Sequence, residues 1–444
     1  MSRTVRENAP CAFAALLGCA LLAWLGLKGF AWSDYETEAK PAFDALTHGH
    51  LSEFLRLAPA YGGSLVERAP FAFVPSSWGG GAVAVYRAVA LPCLLAVAML
   101  GVWLVAQMRA AGRPRFARAL ALTICVLNPL TLRALELGHP EELLGACLCI
   151  GAVLLAANDR PLWAGLLLGL AVANKEWALL AAGPVLLALP SRRRPACGAV
   201  AVGAAVLVLA PLLLVGGGGF SGTVKASATP TVGVFHPWQL WWFLGSHSAD
   251  YPAASAAVAH GYRIGPAWMT AASHPLILLV GLALSFAVWL RARINLVHAQ
   301  KPSPSSRQVR LDARTALLTF TLAMLLRCLL DTWDTAYYML PFVLALLAWE
   351  VRGPIARPPM LAAAASVLGY LSMEWASSHL SPDLQAALFL AWTLPLAIAL
   401  SLRLLRPDHS TSLTPGKPAR RTAALASGAQ ETTVSVFSRP LSTS

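Results

Sequence analysis

Apolar runs of roughly 17 to 25 residues recur along the whole chain, beginning with "FAALLGCALLAWLGLKGF" at 13–30. That is the length a helix needs to cross a hydrocarbon core of about 30 Å, so the runs dictate the fold before any single residue is considered. Charge agrees with them. Only 12% of the 444 residues are charged, against about 25% in ordinary soluble domains, and 57% are hydrophobic. The fold class read from this is an all-α polytopic membrane protein. The first run is too long for a signal-peptide core, and "KGFAWSD" offers no small-x-small cleavage site, so it reads as a retained first helix.

About twelve membrane segments are predicted: roughly 10–32, 81–106, 119–135, 141–157, 162–174, 177–190, 197–215, 275–291, 315–330, 337–350, 360–377 and 384–403. With the N-terminus in the cytoplasm, the basic stretches "RAAGRPRFAR", "NDR", "SRRRP", "RARINLVHAQKPSPSSRQVRLDAR", "VRGPIARPP" and the C-terminal tail all fall inside. Most of the 34 Lys and Arg then lie inside, and most of the 21 Asp and Glu outside. This asymmetry accounts for the formal net charge of +13 without a nucleic-acid partner. None of the eight cysteines forms a CxxC pair, so neither a zinc site nor a disulfide framework is indicated.

Charge also decides how "LWAGLLLGLAVANKEWALLAAGPVLLALP" runs. As one straight helix it would span about 43 Å and carry Arg192, Arg193 and Arg194 to the wrong side. Two short segments meeting near Asn174, Lys175 and Glu176 avoid both problems, so a hairpin is predicted. The same reasoning makes 315–350 a hairpin with its tip at "DTWD". Two long outer loops remain, 33–80 and 216–274. In the first, Ala39, Phe43, Leu46, Leu51, Phe54 and Leu55 suggest short amphipathic helices lying on the membrane. In the second, Trp238, Trp241 and Trp242 fit an interfacial aromatic belt. Residues 1–404 form the multispanning domain, and 405–444, rich in Ser, Thr, Pro and Arg, a disordered cytoplasmic tail.

A charge in or near a bilayer costs a few kcal/mol or more, so each one needs a partner or a purpose. On the outer side this topology gathers Asp34 and Glu36 after the first helix. It adds Glu136, His139, Glu141 and Glu142 in "ELGHPEE", and Lys175 and Glu176 at the hairpin tip. His236, His247, His260, Arg263 and His274 come from the second long loop; Arg327, Asp331, Asp334, Tyr337 and Tyr338 surround the last outer turn. Each has a plain structural reading. Asp34 could end a helix, Lys175 could snorkel, and Arg327 could pair with Asp331 one turn away. The tyrosines could join a belt, His236 and His274 beside prolines could be loop residues, and the "GHPEE" acids could simply suit a helix N-terminus. Gathered on one side, acids suit proton transfer, and Arg or Lys suits an anion. Such a mix fits a reaction in which a hydroxyl attacks and a phosphate leaves.

Taken in order, "SDYETEAKPAFDALTHGHLSEFL", "NPLTLRALELGHPEELLGA", "AGLLLGLAVANKEWALLAAGPVLLAL", "VFHPWQLWWFLG" and "LLRCLLDTWDTAYYMLPFVLALLAWE" resemble the membrane glycosyltransferases of the GT-C superfamily. The resemblance is closest to the family-87 branch, the DUF2029 group of bacterial polyprenyl-phosphate-mannose transferases, and covers roughly residues 20–350. It implies a GT-C-like bundle that takes a hexose, mannose on this reading, from a polyprenyl-phosphate carrier. The sugar passes to a lipid or glycan hydroxyl on the outer face of the cytoplasmic membrane, by a single inverting displacement. The family's acid in the first outer loop is the general base, and the matching position here is Asp34, with Glu36 as the nearby alternative. Arg327, Lys175 and Arg263 would then hold the donor phosphate, and His139, Glu142, Glu176, His274, Asp331 and Tyr337 the sugar or acceptor, with His139, Glu142 and His274 alternatively orienting the base. No cofactor and no metal are implied, and the first loop has no DxD pattern. Many relatives carry a Gln and an Asn after the glycine where this chain has "GHPEE", so its pocket can differ from theirs. A secondary transporter is the rival from another class, but no internal repeat supports it. A lipid-linked-glycan polymerase or ligase of GT-C-like fold would share the outer acids and cations, and a non-catalytic membrane scaffold would use none of them.

Overall fold

The computed structural model describes residues 3–29, 33–76, 79–228, 235–247, 257–298, 309–354 and 357–406. The described residues up to Leu405 belong to one compact unit; of the predicted tail, all but Leu405 and Arg406 lies outside the described residues. The described chain is helical throughout, with no strand beyond an isolated bridge between Ser246 and Ile264.

Seven helices among the described residues are long and apolar enough to cross a membrane: Asn8–Gly26, Ala82–Ala110, Arg115–Leu137, Ser191–Gly218, Ala267–Val297, Ala313–Leu330 and Pro382–Leu405. The other five predicted segments are present as shorter pieces. In our numbering α8 is Glu141–Ala157, α9 Pro161–Asn174, α10 Ala182–Ala188, α14 Met339–Val351 and α15 Met360–Tyr370. A helix of 14 residues covers only about 21 Å, too little to span alone. What permits such short pieces is burial in protein, where neighbouring chain satisfies their ends. Every residue of α14 except Glu350 is buried. The longer α11 (Arg194–Ala228) and α12 (Ala267–His298) instead turn Leu207, Leu214, Leu279 and Leu282 outward, as lipid-facing helices do.

Both predicted hairpins form. α9 ends at Lys175, whose extended backbone (φ −156°, ψ 137°) interrupts the helix before a 3-10 turn, Glu176–Ala181, leads into α10. The opposite ends of α8 and α10 meet at Arg310, which donates to the Ala157 and Ala188 carbonyls (2.7 and 3.1 Å). α13 (Ala313–Leu330) and α14 likewise flank the "DTWD" turn. At the end of the bundle away from that turn, arginines of the basic loops cap helix C-termini. Arg113 donates to the carbonyls of Glu350, Val351, Gly353 and Arg357 (2.7–3.3 Å), and Arg194 to that of Leu189 at the end of α10 (3.2 Å). The last carbonyls of a helix have no partner within it, and a guanidinium supplies one together with favourable charge. α9 packs on α11 through Gly165 and Gly169, where an added Cβ would lie 2.4 and 2.3 Å from the Cys197 and Ala201 carbonyl oxygens.

Three expectations change. The first loop is a folded cap of helices α2 (Lys40–Thr47), α3 (Leu51–Leu57) and α4 (Gly62–Ser76), packed on α5 (Ala82–Ala110) and α11. Ala39, Phe43, Leu46, Phe54 and Leu55 are buried in protein, and only Leu51 of the expected apolar set is exposed. The second loop is shorter than 216–274. The glycine run stays within α11, bent at Gly217 (φ 51°), and α12 begins at Ala267, so His274 sits in a helix. The tryptophans are not a belt. Trp242 is fully buried and donates to Asp383 (2.8 Å), while Trp241 donates to the Leu330 carbonyl (2.9 Å), because the 235–247 segment tucks against α13 and α16 (Pro382–Leu405).

Candidate functional site

α6 (Arg115–Val126) is followed by α7 (Pro129–Leu137), which is opened by Pro129 and by the Asn128 side chain accepting from the Leu130 amide (2.9 Å). It closes at Gly138, whose φ of +99° suits glycine alone. A Cβ there would also lie 2.4 Å from the Tyr35 amide nitrogen. This bare position brings the chain after α7 against the chain after α1 (Arg3–Gly26), and so sets His139 beside Asp34.

His139 lies buried between two carboxylates. Its Nε2 is 2.9 Å from Asp34 Oδ2, and its Nδ1 is 2.7 Å from Glu141 Oε1. Glu141 is fully buried at the start of α8, where Lys175 Nζ (3.4 Å) and Arg68 Nη2 of α4 (3.4 Å) also reach it. Asn174 Nδ2 donates to the Glu141 carbonyl (3.0 Å). Lys175 Nζ lies 3.3 Å from Glu142 Oε1 and 4.6 Å from the centre of the Tyr61 ring. The Tyr337 ring stacks on His139 at 4.4 Å, and Tyr61 meets it edge-on at 5.4 Å. Burial works against the imidazolium, but the Glu141 charge and the hydrogen bonds to Asp34 and Glu141 outweigh it, and His139 is raised to about 9. Asp34, by contrast, keeps half its side chain exposed.

A second group adjoins the first through Tyr337, whose ring lies 5.2 Å from that of Tyr338. Arg327 sits 4.1 Å above Tyr338 and 5.4 Å from Trp177, and reaches the Tyr338 carbonyl at 3.5 Å. Among the described residues its buried guanidinium makes no ion pair with a carboxylate. Asp331, one turn on, instead accepts from the Trp333 amide (3.1 Å) and faces His274 Nε2 (3.5 Å). The simple Arg327–Asp331 pairing does not form. Asp334 is wholly buried; burial and the Asp331 charge push its carboxyl well above the ordinary aspartate range. The Thr335 amide approaches it without completing a hydrogen bond.

The fold therefore gathers Asp34, His139, Glu142, Lys175 and Tyr337 in one cluster, and Arg327, Asp331 and His274 beside it. Glu36 and Glu176 lie exposed near the edge. Arg263 does not join them. It pairs with Asp383 through two bonds (2.9 and 3.0 Å), and its guanidinium lies near the Trp242 and Phe243 rings. A cavity of about 520 Å³ borders that pair, lined by His247, Tyr262, Ser381 and Gln385 among others, and none of the cluster residues lines it. Lys175, expected on a phosphate, has its charge shared between two glutamates. Sequence reading did not assign a site role to Glu141 or Arg68. Arg68 carried a signal, as a lone cation amid "LVERAPFAF". Glu141 was masked by its suitability for a helix N-terminus. Among the described residues no group of three or more His, Cys, Asp or Glu could hold a metal ion.

The described chain is thus a helical membrane bundle with acids, a histidine and the Arg327 guanidinium gathered at one end. A model of glycosyltransferase family 87 matches residues 63–325, more than half of the chain, and the chain belongs to that family. It is a membrane glycosyltransferase. The match includes His139, Glu141, Glu142, Lys175 and His274, begins after Asp34, and ends just before Arg327. No curated relative matches the chain.

Proposed function

We propose that the protein transfers a hexosyl group, read as mannosyl, from a polyprenyl-phosphate carrier to a lipid or glycan hydroxyl on the extracytoplasmic face of the cell membrane. The observation that carries this is a half-exposed Asp34 linked through His139, Tyr337 and Tyr338 to the buried guanidinium of Arg327, which has no ion-pair partner among the described residues. Asp34 accepts the proton of the attacking hydroxyl, an effect worth about 10² to 10⁴ in rate. As the new bond to the sugar carbon forms, the bond to the phosphate oxygen breaks, and its electron pair leaves on the phosphate. Arg327 offsets that developing charge from a water-poor site, where a preorganised cation acts most strongly. Displacement from the face opposite the phosphate inverts the sugar carbon. Polyprenyl phosphate cannot leave the bilayer, so its reactive carbon stays at headgroup depth; an acid just beyond the first helix is at that depth. On this reading both termini are cytoplasmic, residues 1–404 are the catalytic domain, and 405–444 a cytoplasmic tail.

The test supplies membranes containing the protein with polyprenyl-phosphate-linked radiolabelled mannose and the host's lipids. The reading expects label in a new glycolipid or glycan whose anomeric configuration is opposite to the donor's. Label transferred with retention would rule out the single displacement, and transfer only from another lipid-linked sugar would correct the mannose assignment.

A further inference from the structure

An ionised carboxylate offers only acceptor oxygens, so an imidazole nitrogen facing one must carry a proton. His139 faces one on each ring nitrogen, at 2.9 and 2.7 Å. Glu141 is fixed as an anion by two further cationic groups, Lys175 and Arg68. The tyrosine rings of Tyr337 and Tyr61 close the remaining sides of the imidazole, and Glu142 stands beyond Lys175. A ring so held has one orientation, and its Nε2–H occupies Oδ2 of Asp34.

We propose that His139 is a positioning residue for the base: a doubly protonated imidazole, anchored through Glu141 to Arg68 and Lys175, that ties down Asp34 Oδ2 and leaves Oδ1 for the acceptor hydroxyl. This rests on the reading of Asp34 as base. His139 neither gains nor loses a proton during transfer. The hydroxyl proton goes to Asp34, and the imidazolium keeps the carboxylate aimed while its charge changes. The arrangement assigns Lys175 to the support of Glu141 and Glu142, leaving Arg327 as the residue free for the phosphate. It also gives the acids of "GHPEE" a purpose.

The test compares kcat, donor KM and their pH dependence for wild type, H139A, H139Q and E141Q, each checked for folding by size exclusion in detergent. H139A is expected to lose about 100-fold in kcat, as a misplaced group does, with donor KM changed by less than about three-fold. H139Q, which keeps one N–H for Asp34, is expected to recover part of that loss. Wild-type kcat should fall as pH rises through about 9, where the imidazolium is lost. That limb should vanish in H139Q and move to lower pH in E141Q. A histidine that was merely structural would give a loss independent of pH.

An activity-independent readout accompanies these. In ¹⁵N-histidine spectra of the full chain, the signal missing from H139Q should report two ring N–H groups at pH 7. A neutral ring there would overturn the proposal even if the enzyme proved to act on another donor. Wild-type transfer that is lost in D34N but kept at full kcat in H139A would overturn it while leaving the base in place. Failure of wild type to transfer any lipid-linked sugar would instead count against the proposed function, and the spectra would still decide the state of His139.

Discussion

At the scale of the residue, burying an imidazolium between carboxylates ties stability to pH. The folded-state value for His139 lies above the ordinary histidine value of about 6.5, so the stabilisation is fully present below about 6.5 and is lost as pH rises to about 9. The melting temperature of the purified protein should therefore drop across that window, and H139Q should flatten the drop. Asp334 makes the opposite kind of case. Its carboxyl is held neutral by burial, so D334N should keep the native stability at pH 7, whereas D334A should melt lower. Gly138 is the residue on which this geometry turns. G138A places a Cβ against Tyr35 in a left-handed conformation and should cost roughly 2 kcal/mol of stability, with a loss of transfer as His139 and Asp34 are pushed apart. Much at this scale was legible. The cost of membrane charges singles out Asp34, His139, Glu142, Lys175 and Arg327, because each is expensive wherever it sits. Pairing was not legible. Nothing in the spacing of Arg68 and Glu141 announces a contact across 73 positions, and Arg263 is answered by Asp383, 120 positions away.

At the scale of the element, the short helices carry the site, and arginine caps hold their far ends. Arg113 serves four carbonyls around the end of α14, so R113M strands those acceptors in a buried setting. It should cost on the order of 2–4 kcal/mol, read as a lower melting temperature with the donor KM unchanged. The hairpins were legible because length and charge both forbid a single straight crossing. Loop boundaries were less so. A run of four glycines argues for a break, but only Gly217 leaves the helical region, and α11 resumes beyond it. Tryptophans near an expected interface argue for a belt, yet the indole N–H groups of Trp242 and Trp241 find partners at Asp383 and the Leu330 carbonyl within the fold. Hydropathy reports that an aromatic ring is apolar at one end; it does not report whether lipid or protein covers it.

At the scale of the whole molecule, an arginine-capped end stands apart from an acid-and-histidine end. On the topology drawn from the basic loops, a cysteine replacing Glu36 should react with an impermeant thiol reagent added to intact cells, and one replacing Arg160 only after the cells are opened. The reverse pattern would invert the orientation and move the reaction to the cytoplasmic side. The fold class was legible because the hydrocarbon thickness sets helix length. The basic loops predict on which side of the membrane the clustered charges lie, but their mutual distances required the folded chain. The measurement that tests the central claim most directly compares wild type with D34N, at equal protein level in membranes, for transfer from polyprenyl-phosphate-linked radiolabelled mannose. With Asp34 as base, label should appear in a new glycolipid or glycan with wild type and fall by at least about 100-fold with D34N. Equal transfer by the two would contradict it and move the base away from Asp34.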